Sequence, residues 1–142
     1  MKYLLISILL LVWSFCVKSQ EVLPWVMGKY SVQLKPPCTI QVQVNDSLQE
    51  INNVFGKNTD CSIANLSQTN IPNAFVIGGG YILIIEKKIN IGETCRRVSK
   101  ALYLPNVGEA VVSKYDVKSG NCDGHIEGNS AMYLVSPYLK KI

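Results

Sequence analysis

Short runs of alternating apolar and polar residues, each cut off by turn chemistry, constrain this chain more than any other feature of its sequence. Tyr30-Ser31-Val32-Gln33-Leu34 alternates until Pro36-Pro37 stops it, and Thr39-Ile40-Gln41-Val42-Gln43-Val44 alternates until Asn45-Asp46. A period of two places every second side chain on one face, the pattern of a strand with one side buried. Further apolar or β-branched runs follow at Ala74–Ile77, Tyr81–Glu86, Thr94–Leu104, Ala110–Val117, Cys122–Glu127 and Ala131–Val135. Between them lie turn formers: Gly78-Gly79-Gly80, Pro105-Asn106-Val107-Gly108, Lys118-Ser119-Gly120-Asn121 and Gly128-Asn129. The count comes to about eight strands, and connections this short imply mostly antiparallel neighbours. The expected fold is all-β, either a small antiparallel barrel or a β-sandwich. The polar stretch from Ser47 to Pro72 departs from the pattern. Ser47 followed by Glu50 matches a capping box, and Leu48, Ile51 and Val54-Phe55 would share a face. That spacing predicts a short helix near residues 48–55, ended by Gly56.

The start of the chain sets the expected compartment. Met1-Lys2 is basic, Tyr3–Val12 is apolar apart from Ser7, and Val17-Lys18-Ser19 supplies a small-residue cleavage site before Gln20. This is the layout of a secretory signal peptide; a membrane span wants roughly 20 apolar residues. The expected organisation is a signal peptide over 1–19 and a single secreted β-domain over 20–142, placed outside the cell. Removing the signal takes away Cys16, Lys2 and Lys18, which lowers the formal charge of +4 by two. The remaining positive charge is too small and too scattered along the chain to argue for nucleic acid or an anionic membrane. Cys38, Cys61, Cys95 and Cys122 then form an even set in an oxidising compartment, which implies two disulfides with three connectivities open. Their wide spacing, without C-x-x-C, argues against zinc and thioredoxin-like chemistry. Asn45 and Asn65 each begin an N-x-S sequon, so both are candidate glycan sites on an exported chain.

Chemical motifs are sparse. The triple glycine at 78–80 lacks the Lys-Ser/Thr of a phosphate loop and opens no helical pattern, so a hairpin turn or bulge is expected there. His125 is the one histidine, inside Asp123-Gly124-His125-Ile126-Glu127, and this run supplies too few ligands for a metal site. Neither a G-x-S-x-G elbow nor an H-E-x-x-H helix is present, and no metal, cofactor or catalytic residue is expected. The chain is read as a binding protein, not an enzyme.

With Gly28-Lys29-Tyr30 opening the first strand, about eight strands and two expected disulfides, the chain resembles a lipocalin or related calycin barrel. Tyr30 stands where that family's G-x-W tryptophan closes the barrel, and Trp25 lies three residues before the glycine. The resemblance implies a carrier of a small hydrophobic, lipid-like ligand. It would be lined by alternate strand positions: Tyr30, Val32, Leu34, Phe75, Ile77, Ile82, Ile84, Tyr103, Val112 and Tyr133. The alternative is a structural, matrix or defensive extracellular protein that meets a protein partner through its surface. Neither reading involves nucleic acid or a membrane span.

Overall fold

A computed structural model of the chain describes residues 23–66, 69–122, 126 and 128–139. The expected signal peptide and His125 lie outside them. The described chain forms ten strands and one helix in three layers. Sheet A is an antiparallel meander of β1 (Trp25–Met27), β2 (Tyr30–Lys35), β3 (Thr39–Val44) and β4 (Ser47–Ile51). Sheet B is built on two long strands, β7 (Gly80–Ile91) and β8 (Thr94–Leu104). β5 (Ser62–Ile63) and β6 (Ala74–Ile77) share the outer edge of β7; β9 (Val111–Val112) and β10 (Val117–Ser119) share the outer edge of β8. Helix α1 (Gly128–Leu139) lies on the face of sheet B that sheet A does not cover.

The two sheets stack as a sandwich, and no closed barrel is formed among the described residues. Alternation in β2 and β3 does what a period of two requires. Tyr30, Val32, Ile40 and Val42 are buried against sheet B, while Ser31, Gln33, Gln41 and Gln43 face outward. β7 and β8 follow another rule because both of their faces are covered. Ile82 to Ile85 are all fully buried: Leu83 and Ile85 meet sheet A, Ile82 and Ile84 meet the helix side. A strand sandwiched between two layers reads as a continuous apolar run, as Tyr81–Ile85 does.

Three expected elements are corrected. The helix near 48–55 is not formed: Ser47–Ile51 is β4, paired with β3 across a two-residue loop in which Asn45 has φ +52°. Asparagine tolerates that left-handed conformation, so the Asn45-Asp46 turn outweighs the capping-box match. Glu50, cast as the capping acid, accepts a hydrogen bond from Gln41 on the neighbouring strand. The expected strand over Ala131–Val135 is part of α1, where Ala131, Leu134 and Val135 are buried and Tyr138 and Leu139 pack beside them. Those positions are spaced i, i+3, i+4, i+7 and i+8, a helical stripe. Near its end, Pro137 cannot donate to the Tyr133 carbonyl, and the Ser136 hydroxyl does so instead, at 3.0 Å. The expected strand over Ala110–Val117 is interrupted. The Ser113 hydroxyl accepts from the Ala101 amide at 3.0 Å and donates to the Tyr115 carbonyl at 2.8 Å, so residues 114–116 leave the ladder. Cys122 also lies outside any strand.

Gly78 and Gly79 turn the chain between β6 and β7, with φ +54° and +78°. At Gly80 a side chain is excluded, since a Cβ there would lie 2.5 Å from the Leu104 carbonyl oxygen. The triple glycine is therefore the hairpin turn its sequence predicts.

The disulfides are Cys38–Cys61 and Cys95–Cys122. The first ties the β2–β3 turn of sheet A to the segment entering β5 of sheet B. The second ties the start of β8 to the chain just past β10. At separations of 23 and 27 residues, each bridge contributes about 3 kcal/mol by the loop-closure argument.

Candidate ligand cleft

The fold divides the residues expected to line one interior. Tyr30, Val32, Leu34 and Val112 belong to the core between the sheets. Phe75, Ile77, Ile82, Ile84 and Tyr103 belong to the core between sheet B and α1. Tyr133 is 61% exposed on the outer side of the helix. A single central cavity shared by all ten is therefore replaced by two cores on opposite faces of sheet B. The reason is register: Ile82 and Ile84 point away from Leu83 and Ile85, and only the latter pair reaches sheet A.

A cleft forms instead where the ladder between β7 and β8 ends. It has a volume of about 530 Å³ and is lined by Gly78, Tyr103, Pro105, Asn106, Val107, Glu109, Val111 and Tyr138. Five elements meet there: the β6–β7 turn, the end of β8, the following loop, β9, and the last turn of α1. Its walls are fixed by specific bonds. The Tyr138 hydroxyl accepts from the Lys114 amide at 3.0 Å and donates to the Val112 carbonyl at 3.2 Å, which docks the end of α1. The loop from Pro105 to Ala110 is held against sheet A at both ends. Tyr30 donates its hydroxyl proton to the Pro105 carbonyl, and Lys29 donates to that of Asn106. At the far end, the side-chain amide of Gln49 pairs with the backbone of Ala110 in both directions. Between these anchors Val107 is 87% exposed, so the outer lip of the cleft projects into solvent.

Inside the cleft wall sits Tyr103, 2% exposed. Its hydroxyl has no hydrogen-bond partner among the described residues. Leaving a buried hydroxyl unpaired costs about 1–3 kcal/mol, which makes this group the chemical focus of the site. Tyr30 approaches the same end of β8 from the sheet A side. Burial, and secondarily the nearby Tyr103, push its phenol above the ordinary tyrosine range.

The other sequence-level candidates do not converge on the cleft. The four cysteines are consumed in the two bridges. Asn45 lies in the exposed β3–β4 turn, and exposed Asn65 forms an isolated bridge with Pro72. Among the described residues no group of three or more His, Cys, Asp or Glu side chains could hold a metal ion. No helix among them is long and apolar enough to cross a membrane.

Two buried polar features went unrecognised in the sequence. Asn73 donates to the Ile126 carbonyl and sits in the gap between β5 and β6, where its backbone and that of Ala64 complete the edge of β7. Glu86 and Arg97 form a buried ion pair at 3.5 Å on the helix face of sheet B. Glu86 is flagged only by ending an apolar run, and Arg97 only by belonging to a strand.

Compared with protein-family models, with curated proteins and with solved structures, the chain matches none of them.

Proposed function

We propose that the protein is a secreted, non-catalytic carrier that holds one small, mainly apolar molecule in the cleft at the end of β8. The buried, unpartnered hydroxyl of Tyr103 carries this reading. A ligand with an apolar body and one hydrogen-bonding group would fill the space between Pro105, Val107, Val111 and Tyr138, and would satisfy that hydroxyl by displacing the side chains that shield it from solvent. The volume lies within the roughly 300–1,000 Å³ of small-molecule sites. Export rests on the signal-peptide pattern and on two disulfides, which persist in oxidising compartments. Lipocalin-like carriage of a lipid remains the nearest functional analogy, with the ligand moved from a barrel interior to a cleft beside the helix.

The test is displacement of a fluorescent fatty acid from the disulfide-bonded protein, with stoichiometry from native mass spectrometry. One ligand per chain is expected, and Val111→Trp, which fills the cleft, is expected to abolish binding without unfolding the protein. Failure of fatty acids, retinoids and sterols alike to bind, or binding that survives Val111→Trp, would rule the reading out.

A further inference from the structure

The opposite end of the ladder between β7 and β8 carries a second surface. The eleven residue pairs from Tyr81↔Leu104 to Ile91↔Thr94 span about 33 Å, so the hairpin tip is remote from the cleft. Sheet A covers Leu83, Ile85, Leu102 and Leu104, and Phe55, in the segment after β4, packs against the same core. The ammonium groups of Lys87 and Lys100 lie over the Phe55 ring, at 5.5 and 6.0 Å from its centre. Beyond that ring the core shared with sheet A does not extend over this face of the hairpin, where Val98 is buried and the isoleucines nearer the tip are exposed. Register places Lys87 opposite Val98, Ile89 opposite Arg96, and Lys118 of β10 beside Val98. A groove of about 360 Å³ runs over Ile89, Ile91, Arg96, Val98 and Lys118. Ile89 and Ile91 are 37% and 53% exposed.

The charge on this face is of one sign. Among the described residues Lys87, Arg96, Lys100 and Lys118 form no ion pair; both ion pairs use Glu86, on the opposite face. Apart from Glu86, the nearest described carboxylates along the chain are Glu93 in the hairpin turn and Asp116 before β10, and neither pairs with these cations. Charges that look scattered in the sequence are thus gathered by strand register. The Cys95–Cys122 bridge braces the hairpin, so the face is presented without much ordering cost.

We propose that this face docks on an anionic lipid surface, with Lys87, Arg96, Lys100 and Lys118 at the headgroups and Ile89 and Ile91 entering the interface. Cations alone would suit any polyanion. The two exposed isoleucines between them favour a partner with negative groups above an apolar layer, since a sulfated polysaccharide would leave them in water.

Co-sedimentation of the disulfide-bonded protein with phosphatidylcholine vesicles, with and without phosphatidylserine, tests this. Binding is expected only with phosphatidylserine, and is expected to be lost near 1 M salt, where screening acts within about 3 Å. Each of Lys87→Gln, Arg96→Gln and Lys118→Gln is expected to weaken it about five-fold. Ile89→Ser with Ile91→Ser is expected to weaken it further while leaving circular dichroism unchanged. The proposal is overturned by equal binding to neutral vesicles, by no binding to anionic ones, or by indifference to the isoleucine changes. Tighter binding to heparin or to a poly-glutamate peptide than to the vesicles, unaffected by the isoleucine changes, would also overturn it. Fatty-acid displacement compared between the wild type and Val111→Trp reads the cleft alone, so the two proposals fail separately.

Discussion

The side-chain amide of Gln49 closes a two-bond ring with the backbone of Ala110. Its nitrogen donates to the Ala110 carbonyl at 2.8 Å, and its oxygen accepts from the Ala110 amide at 2.9 Å. The pair acts as a β-bridge made by a side chain. It joins an edge strand of sheet A to the loop that walls the cleft, across 61 residues of sequence. Gln49 faces inward because it pairs with Val42, at a position where alternation calls for an apolar residue.

Replacing Gln49 with Ala removes both bonds and leaves two backbone groups of the buried Ala110 unpaired. A loss of about 2 kcal/mol is expected in urea denaturation. Hydrogen exchange at the Ala110 amide should accelerate. Ligand affinity should also fall, because the loop would keep only its anchors at Pro105 and Asn106.

Tyr103→Phe separates stability from function. Removing an unsatisfied buried hydroxyl is expected to raise the stability of the ligand-free protein by about 1 kcal/mol. The same change is expected to weaken a ligand that hydrogen-bonds there by about ten-fold. A purely structural tyrosine would give neither a stability gain nor an affinity loss, so both are measured on the same preparation.

Tyr30 gives a pH signature. Its phenol is raised above the value it would have in the unfolded chain, so between the two values the folded state holds the proton more tightly. The resulting stability is present in full below the unfolded value of about 10 and is lost as pH rises through the raised one. Thermal melts above pH 10 should therefore fall more steeply for the wild type than for Tyr30→Phe. Near neutrality the variant should be less stable by about 1 kcal/mol, for loss of the bond to Pro105.

The buried pair predicts an asymmetry around Glu86. Lys88 is a solvent-facing partner at 4.0 Å, whereas Arg97 is buried with Glu86 at 3.5 Å. Lys88→Ala is expected to cost under about 1 kcal/mol. Glu86→Ala removes the carboxylate paired with a buried guanidinium and is expected to cost about 3 kcal/mol or more. Denaturation midpoints of the two variants check the order.

Much of sheet A is legible in the sequence. Alternation in Tyr30–Leu34 and Thr39–Val44 identifies both strands and tells which side chains are buried, because one face of each meets water. The turns at Asn45-Asp46 and Gly78–Gly80 are legible for a related reason: left-handed backbone and close approach demand particular residues. Sheet B is harder to read. Tyr81–Ile85 is apolar on both faces, so it has no phase from which to tell Leu83 from Ile84. The cleft was half visible: Tyr103 stood among the expected lining residues, while Pro105, Val107 and Tyr138 did not. The helix left its stripe at Ala131, Leu134, Val135, Tyr138 and Leu139, but within Ala131–Val135 a short apolar run fits either a strand or a helix.

By itself, then, the sequence determined a mostly β chain, the facing of its amphipathic strands and four cysteines fit for two bridges. Tertiary structure alone decided that Cys38 meets Cys61 and Cys95 meets Cys122. It also decided that the expected ligand-lining residues part onto two faces of sheet B, and that Lys87, Arg96, Lys100 and Lys118 come together. The physical reason is range. Periodicity and turn propensity are properties of a few neighbouring residues, and they survive in the sequence. Partners 23 to 77 residues apart, such as Cys38 with Cys61 or Lys29 with Asn106, are chosen by which layers can bury one another's apolar faces.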